Sequence, residues 1–178
     1  MRLFLAIELP QTIKRKLTKQ LRPLQQEYPY IKWTSPENYH LTLHFFGDEK
    51  PEFLKQILEE ILYDAQEFYM YSSRADLFIK DNITIYIGFQ RNKPLEKIAR
   101  EIKERSAQGT SRKFIPHLTV GRYKIPSKQQ YFLLKKKLQN LPVDIEFKVD
   151  KLILFDSILG KPKPTYKQIT EFPLLAKA

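Results

Sequence analysis

The tripeptide His-Leu-Thr occurs twice in this sequence, at residues 40–42 and 117–119, and it contains two of the three histidines in the chain. The two copies are almost half a chain length apart. Imidazole has an ordinary pKa of about 6.5, so a histidine can take up or release a proton near neutral pH. Paired histidines with nearby hydroxyls are typical of general acid–base catalysis. The duplicated motif is therefore the first candidate for a functional site.

Both copies of the tripeptide lie in segments with the composition of β-strands. Because successive side chains of a strand point to opposite faces, His40 shares a face with Thr42, and His117 shares a face with Thr119. If an approximate two-fold relates the two segments, these four polar side chains converge on one cleft. The apolar residues between them would point the other way, into a core: Leu41, Leu43, Phe45, Leu118 and Val120.

Two facing imidazoles and two hydroxyls suit the opening of a cyclic phosphate diester without a metal ion. One histidine takes a proton from water as general base, and the other gives a proton to the departing ribose oxygen as general acid. The threonine hydroxyls would donate hydrogen bonds to the non-bridging phosphate oxygens. Since the two motifs are nearly identical, the residues alone leave open which histidine is the acid. We expect neither a cofactor nor a metal at this site.

The third histidine, His44, lies on the nominal face of His40 and has no counterpart in the second motif, where Gly121 stands in the matching place. We interpret it as a peripheral residue or one at the edge of a substrate. A zinc site built from His40, His44 and His117 is an alternative. It is less favoured, since positions i and i+4 of a strand are too far apart for easy shared ligation.

Two further side chains are candidates for substrate binding. On a regular strand Arg122 points away from His117, but Gly121 permits a local bulge that would turn the guanidinium toward a phosphate oxygen. A solvated surface charge is the alternative for this arginine. Phe45 and Phe46 are more often core residues, although an aromatic ring at the rim of a cleft suits a nucleobase, and Phe45 is a candidate for that contact.

Length and charge limit the class of protein. The 178 residues suffice for one compact domain, or for one domain built of two similar lobes, and no apolar run has the length of a membrane span. The net charge is +11, and residues 90–178 contribute the excess with 20 basic and 8 acidic side chains. Such a field suits a polyanion, and we expect RNA as the partner. A lysine-rich solvated surface is the alternative explanation.

The N-terminal residues and the cysteine count bear on location. An apolar stretch at the start is interrupted by Glu8 and has no small-residue cleavage site after it, so it is typical of a first β-strand rather than a signal peptide. The chain has no cysteine and hence no disulfide framework. We expect a cytoplasmic monomer without membrane association.

Four helices are predicted from apolar residues at three- and four-residue steps, each with a proline or serine near its start. These starts are Pro10, Pro51, Pro94 and Ser127. Strand character is found in eight segments: 2–8, 39–46, 76–80, 83–89, 115–123, 143–149, 152–157 and about 165–171. Asp81-Asn82 predicts a hairpin between two of them. Single helices alternating with strand pairs indicate an α+β fold with antiparallel sheets and a duplicated unit.

These motifs resemble the 2H phosphoesterase superfamily, and within it the bacterial and archaeal RNA 2′,3′-cyclic phosphodiesterases, historically called 2′-5′ RNA ligases. The resemblance covers nearly the whole chain. Its matching residues are Arg2–Ile7, Trp33, Pro36–Leu43, Phe45–Gly47, Phe114, Pro116–Val120, Arg122, Leu154, Ser157, Tyr166 and Phe172–Leu174. The paired histidine motifs are specific, whereas the C-terminal residues are weakly so.

The resemblance implies a bilobal α+β fold of two pseudo-symmetric antiparallel sheets, with outer helices and a central cleft. It implies metal-independent hydrolysis of a terminal RNA 2′,3′-cyclic phosphate to a 2′-phosphomonoester, on substrates such as tRNA fragments. His40 would be the general acid and His117 the general base. Thr42, Thr119 and Arg122 would bind phosphate. Joining of RNA ends through a 2′-5′ bond would be the reverse of the same chemistry.

Two other functions stay open from the sequence. The same residues would fit a phosphodiesterase for a small cyclic nucleotide or a 2′-5′ oligonucleotide, and the basic second half is the feature that favours a polymer. A second alternative is an RNA-end-binding module, in which the histidines dock a terminal phosphate without turnover. Rates on oligonucleotide and mononucleotide substrates, and substitution of the histidines, would separate these possibilities.

Overall fold

The computed structural model describes residues 1–106, 113–124, 127–160 and 163–178. In this part of the chain four α-helices and nine β-strands form an α+β unit. The helices are α1 Gln11–Glu27, α2 Pro51–Leu62, α3 Lys93–Arg105 and α4 Lys128–Gln139. A short 3₁₀ turn, Pro36–Asn38, precedes the third strand. The four predicted helices are all present.

The helices begin at residues that favour a helical start. Pro51 and Pro94 lie in the first turns of α2 and α3, where a missing N–H breaks no hydrogen bond. The side chain of Asn92 caps α3. Ser127 and Gln130 form a capping box at α4, with Oγ accepting at 3.2 Å and the serine N–H donating at 3.1 Å. Among the described residues, no helix combines the length and the hydropathy that crossing a membrane requires.

The strands are β1 Arg2–Glu8, β2 Lys32–Trp33, β3 His40–Asp48, β4 Phe68–Ile79, β5 Ile83–Phe89, β6 His117–Tyr123, β7 Glu146–Val149, β8 Lys151–Ile158 and β9 Thr165–Pro173. Neighbouring strands pair antiparallel. Their order across the sheet is β7-β4-β5-β6-β3-β1-β8-β9, with β2 added beside β6. The predicted hairpin at Asp81-Asn82 connects β4 and β5.

Two groups of four strands, β7-β4-β5-β6 and β3-β1-β8-β9, form the halves of the sheet, and each has a histidine motif at its inner edge. The halves meet at β3 and β6, where Leu41 pairs with Leu118. The two antiparallel sheets that the resemblance implied are thus continuous at the centre of the molecule. The predicted α+β class, with its large antiparallel sheet, is confirmed.

The helices cover one face of this sheet. Buried residues from all four helices join the buried strand residues in one apolar cluster, and α1 to α4 contribute to it, among others, Leu17, Leu58, Leu95 and Leu134. The opposite face has a smaller buried cluster of Phe4, Ala6, Ile153 and Phe155, with Tyr166 packed against it. This second face, which we call the open face, is where the polar side chains of the two motifs lie.

Apart from shifts of one or two residues at strand ends, the structure differs from the predicted strands in three places. β4 starts well before the predicted residue 76, because buried Phe68 and Met70 alternate with exposed tyrosines along a segment that pairs with β7. β7 is shorter than predicted, since the N–H of Asp144 donates to the side chain of Gln20 and not to a neighbouring strand. β2 has two residues, too few for any periodic pattern.

Candidate active site

Each histidine of the duplicated motif is the first residue of a central strand, His40 of β3 and His117 of β6. The same kind of backbone contact holds both rings. Nδ1 of His40 lies 2.7 Å from the carbonyl oxygen of Asn38. Nδ1 of His117 lies 2.8 Å from the carbonyl oxygen of Ile115. In both cases the carbonyl belongs to the residue two positions earlier, just before the strand begins.

This contact decides which ring nitrogen carries the hydrogen. A carbonyl oxygen can only accept a hydrogen bond, so Nδ1 of each ring is the donor. Nε2 is then the nitrogen that gains or loses a proton when the ring changes its charge. Both histidines are therefore held in the same tautomer, with Nε2 available for proton transfer.

The pairing between β3 and β6 sets the arrangement of the four polar side chains. One step to either side of the paired position, the antiparallel register places His40 beside Thr119 and Thr42 beside His117. The two histidines thus occupy diagonal positions, which are about 7–8 Å apart in a regular antiparallel pair. A phosphate group can lie between two rings at that spacing, with a threonine hydroxyl next to each.

A cleft of about 580 Å³ lies on the open face of the sheet at this junction. The structure brings all the predicted site residues to this cleft. They are His40, Thr42, Phe45, His117, Thr119 and Arg122. Residues that are distant in sequence therefore share one concave site, and their individual roles stay predictions.

His40 is packed between aromatic residues of β1 and β9. Its ring centroid is 5.2 Å from that of Phe4 and 4.9 Å from that of Tyr166, which meets it edge-on. Burial lowers the pKa of His40 below its ordinary value, because the charged imidazolium loses contact with water. The hydrogen bond to the Asn38 carbonyl acts in the opposite direction on the pKa.

His117 has a similar aromatic setting in the other half. Phe78 and Tyr86 meet its ring edge-on at centroid distances of 5.3 and 5.8 Å, and they stack on each other at 4.1 Å. Neither residue was predicted from the sequence. The sequence feature that could have indicated Tyr86 is its alternation with isoleucines along β5. The isoleucines are buried, so Tyr86 lies on the open face.

The prediction that Phe45 points into the core is wrong. Its side chain is 66% exposed, whereas Phe46 is buried. The register between β1 and β3 skips Leu43 and Phe46, and these bulges break the alternation of faces along the strand. Phe45 instead packs against Phe4, with ring centroids 5.5 Å apart, and lines the cleft. This is the position that the alternative interpretation, an aromatic ring at the rim of a cleft, requires.

Arg122 lines the cleft because β6 contains the predicted bulge. The register between β5 and β6 skips Val120, directly before Gly121, and this redirects the side chain that follows. Nη1 of Arg122 donates to Oγ1 of Thr84 at 3.1 Å. Gly121 also allows close packing, since a Cβ there would lie 3.0 Å from the ring of Trp33.

His44 lies in the wall of the cleft. Its Nε2 is 3.2 Å from Oγ of Ser106 at the end of α3, and its ring is 4.8 Å from that of Phe46. Burial lowers the pKa of His44. Within the described residues, no three His, Cys, Asp or Glu side chains lie close enough together to hold a metal ion. The three-histidine zinc site is therefore not formed.

Two lysines hold the 3₁₀ turn Pro36–Asn38, whose last carbonyl anchors the first histidine, and neither contact was predicted from the sequence. Nζ of Lys14, a buried cation, donates to Oε1 of Glu8 at 2.7 Å and to the carbonyl of Glu37 at 3.3 Å. Lys163 pairs with the carboxylate of Glu37 and holds the pKa of that carboxyl below its ordinary value. The sequence feature that could have indicated these contacts is Lys14, a lysine within the apolar stripe of α1.

The fold and the site together define a class: an antiparallel α+β protein whose halves each present a His-x-Thr strand to a shared cleft. TT0787 of Thermus thermophilus has this fold, with a TM-score of 0.75 at 20% identity over 100% of both chains. The apo form of E. coli LigT has a TM-score of 0.75 at 21% identity, over 97% of this chain and 96% of its own. At such identities the likeness shows the fold.

A sequence model of the 2′-5′ RNA ligase superfamily matches residues 9–160, and this chain belongs to that superfamily. A protein of Methanocaldococcus jannaschii is 34% identical over 97% of this chain and 100% of its own length. A protein of Thermotoga maritima is 28% identical over 96% of this chain and 94% of its own. Both relatives are named RNA 2′,3′-cyclic phosphodiesterase. The family predicted from the histidine motifs is confirmed.

Proposed function

We propose that this protein is an RNA 2′,3′-cyclic phosphodiesterase, which hydrolyses the terminal cyclic phosphate of an RNA to a 2′-phosphomonoester. The observation that carries the proposal is the pair of histidines in one cleft, each anchored through Nδ1 and each beside a threonine of the other strand. The relatives that span almost the full length of the chain have this name.

The reaction requires two proton transfers on opposite sides of the phosphorus. As water attacks, its proton passes to Nε2 of the neutral histidine, and the bond from phosphorus to the 3′ oxygen breaks. The other histidine, charged at the start, gives its Nε2 proton to that oxygen. The products are a 2′-phosphate and a free 3′-hydroxyl, and exchange with solvent returns both rings to their starting states.

The family resemblance assigns the acid to His40 and the base to His117. In the free protein, burial lowers the pKa of His40 and so favours the neutral ring. An anionic phosphate beside that ring favours the imidazolium. Substrate binding would therefore bring the acid to the protonation state that it needs.

The remaining cleft residues would hold the substrate. The hydroxyls of Thr42 and Thr119 would donate to the non-bridging phosphate oxygens, where negative charge grows in the transition state. Arg122 supplies a fixed cation, and the exposed ring of Phe45 supplies a surface on which a base can stack. Joining of RNA ends through a 2′-5′ bond would use a hydroxyl of a second RNA as the partner and needs no further residues.

The test is turnover of a short RNA that ends in a 2′,3′-cyclic phosphate, in the presence of a chelator. Chromatography against synthetic standards should identify a 2′-phosphate as the product. His40→Gln and His117→Gln should each lower kcat/KM about 10²- to 10⁴-fold, the usual contribution of a general acid or base. His44→Gln is the matched histidine control, with a smaller expected loss.

Several outcomes would contradict the proposal. Tight binding of the RNA by the unmodified protein without turnover would support the RNA-end-binding module. Much faster turnover of a cyclic mononucleotide than of the oligonucleotide would support the small-substrate alternative. Melting temperatures of the variants close to that of the parent exclude misfolding as the cause of lost activity.

Three finer expectations accompany this proposal. They are a single bilobal domain over residues 1–178, a monomeric state, and action in the cytoplasm on RNA ends such as those of tRNA fragments. The single apolar cluster that links both halves supports the first of them. The second and third stay predictions.

A further inference from the structure

Lys14 of α1 is a buried cation that the proposed reaction does not use. Among the described residues the buried charged side chains are Lys14 and Asp76. Burial of an ionised group costs free energy unless other groups compensate its charge and its hydrogen bonds. The described residues that line the cleft do not include Lys14. Any effect of this lysine on the reaction must therefore pass through the groups that it binds.

The ammonium group of Lys14 joins three elements of the fold. Nζ donates to Oε1 of Glu8 on β1 at 2.7 Å and to the carbonyl oxygen of Glu37 in the 3₁₀ turn at 3.3 Å. Glu8 is in register with His40 across the pairing of β1 with β3. The ion pair therefore lies next to the start of β3, where the first histidine stands.

The carbonyl of Glu37 is one peptide unit away from the group that holds the ring. A peptide unit is planar, so a contact that fixes this carbonyl also fixes the nitrogen and the Cα of Asn38. The next carbonyl along the chain, that of Asn38, accepts the hydrogen bond from Nδ1 of His40 at 2.7 Å. A shift of the Glu37 carbonyl would thus reach the imidazole through two consecutive peptide units.

The turn also has contacts with the segment before β9. The side-chain amide of Asn38 donates to the carbonyl of Pro164 at 3.2 Å, and Nζ of Lys163 donates to Oγ of Ser35 at 2.8 Å. Without the ammonium group of Lys14, the turn would keep these contacts and lose its hydrogen bond from α1. Replacement of Lys14 should therefore displace the turn without unfolding it.

The second histidine has a more exposed anchor. Its Nδ1 hydrogen bond is exposed and goes to the carbonyl of Ile115, whose side chain is 54% exposed, whereas the bond of His40 is partly buried. The two motifs are alike in sequence, yet a buried ammonium group supports the first of them. This difference predicts that Lys14 affects one of the two proton transfers.

We propose that Lys14 is a positioning residue for His40, because it fixes the turn that holds Nδ1 and so keeps Nε2 directed at the departing 3′ oxygen. This inference rests on the proposed function and deepens it, since the acid must be in place before the bond from phosphorus breaks. A displacement of about 1 Å in such a group can lower a rate about 10²-fold.

The first experiment replaces the lysine. Lys14→Met removes the ammonium group and keeps the length of the side chain. It should lower kcat for a cyclic-phosphate-ended RNA about ten- to a hundredfold and leave KM almost unchanged, because Lys14 does not contact the substrate. Lys14→Arg, which keeps a charged donor, should have a kcat closer to that of the parent. Lys19→Met, at an exposed lysine of the same helix, is the matched control and should leave kcat unchanged.

A double-mutant cycle tests whether Lys14 acts through His40. In a His117→Gln background, Lys14→Met should cost the same ten- to hundredfold, roughly, in kcat, since His40 is still there to be displaced. In a His40→Gln background it should cost less than about threefold, since the group that it positions is gone. Equal losses in the two backgrounds would overturn the inference.

Magnetic resonance of isotope-labelled histidine gives a readout that does not depend on turnover. In Lys14→Met the Nδ1 proton of His40 should exchange with water about tenfold faster or more, because its hydrogen bond opens more often. The Nδ1 proton of His117 in the same sample is the internal control and should exchange at its parent rate. An unchanged exchange rate at His40 would also overturn the inference.

Loss of folding and failure of the proposed function would each be recognised separately. If the melting temperature shows that Lys14→Met is unfolded in the assay, Glu8→Gln replaces it, because this change lies at an exposed residue and weakens the acceptor of Nζ. Glu8→Gln should give the same pattern with smaller losses, and absence of that pattern would overturn the inference. If the proposed function fails, the unmodified protein turns over no RNA, and the exchange rates still test the positioning.

Discussion

At the residue scale, the two histidines share a backbone anchor and a tautomer, and each ring contacts two aromatic side chains. An imidazole held in this way cannot rotate to exchange its nitrogens without losing the Nδ1 hydrogen bond. The anchor thus leaves Nε2 as the ring nitrogen that can exchange a proton. The aromatic neighbours limit the water around the rings, which is the physical cause of the lowered pKa of His40.

The lowered pKa of His40 predicts how stability changes with pH. Above about pH 6.5, the ordinary pKa of histidine, the ring is neutral in both the folded and the unfolded chain. Below it, the unfolded chain binds the proton first, so the free energy of unfolding falls as the pH decreases toward the folded pKa. Urea denaturation at pH 7.5 and pH 5 should therefore show a smaller acid loss for His40→Gln than for the parent. Thr42→Val is the non-titrating control, and an unchanged loss in His40→Gln would contradict the prediction.

A second prediction concerns Tyr39, next to the first histidine. Its side chain is fully buried, its hydroxyl has no hydrogen-bond partner among the described residues, and burial raises its pKa to about 12. A buried hydroxyl without a partner costs free energy, so Tyr39→Phe should leave the free energy of unfolding unchanged or raise it by about 1 kcal/mol. Denaturant titration measures this change.

This prediction would be contradicted if either of two polar residues near the Tyr39 hydroxyl formed a true hydrogen bond with it. The side chains of Thr18 and Gln25 act on the pKa of Tyr39 against the effect of burial, although neither makes a hydrogen bond of regular geometry with the hydroxyl. A clear loss of stability in Tyr39→Phe would show that one of them is a true partner. Tyr39→Leu, which removes ring packing, should destabilise in either case.

At the element scale, the short strand β2 does more than its two residues suggest. It adds a pair to β6 on the C-terminal side of the histidine motif, and it places Lys32 opposite Arg122. This pairing depends on a bulge and on a glycine. The bulge at Val120 turns Arg122 into the cleft, and Gly121 leaves room for the ring of Trp33.

Gly121→Ala tests this packing. The added Cβ would lie 3.0 Å from the Trp33 ring and 3.2 Å from Cγ2 of Ile31, which is buried. Because the tryptophan is held by its Nε1 hydrogen bond, it has little freedom to move. We expect a loss of about 1–3 kcal/mol in the free energy of unfolding, as for other overpacked sites. Gly121→Val should lose more, and a Gly121→Ala variant as stable as the parent would contradict the argument.

At the scale of the whole molecule, the two halves are joined by few backbone contacts and by much apolar packing. β3 and β6 pair at Leu41 and Leu118, both fully buried. The large apolar cluster includes these residues and extends through both halves and all four helices. Packing, and not backbone pairing, therefore links the two motifs, and a change in that packing would alter the distance between the histidines.

This continuity predicts a single cooperative unfolding transition. Calorimetry should give one peak with equal calorimetric and van't Hoff enthalpies. Leu118→Ala should lower the free energy of unfolding by about 2–5 kcal/mol, as expected for a buried leucine, while the transition stays single. Leu133→Ala, an exposed leucine of α4, is the control and should have little effect. Two resolved peaks would show that the halves unfold as separate domains.

The sequence by itself determined the helices, most of the strands and the group of residues at the site. Helix starts at Pro51 and Ser127 depend on nearby residues, and the alternation of His40 and Thr42 with leucines depends on strand geometry alone. The duplication of the tripeptide indicated that two such strands share one site. Each of these properties is local, so it can be recognised without knowledge of distant contacts.

Only the tertiary structure decided the face on which Phe45 lies, the direction of Arg122 and the partner of Lys32. The first two depend on bulges in β3 and β6, and the third depends on the alignment of β2 with β6. The register between strands is set by packing of segments that are far apart in the chain. The support of the first histidine by Lys14 arises in the same way. A periodic pattern cannot reveal such features, because a bulge changes the period itself and a pair of opposite cations exists only once two strands are aligned.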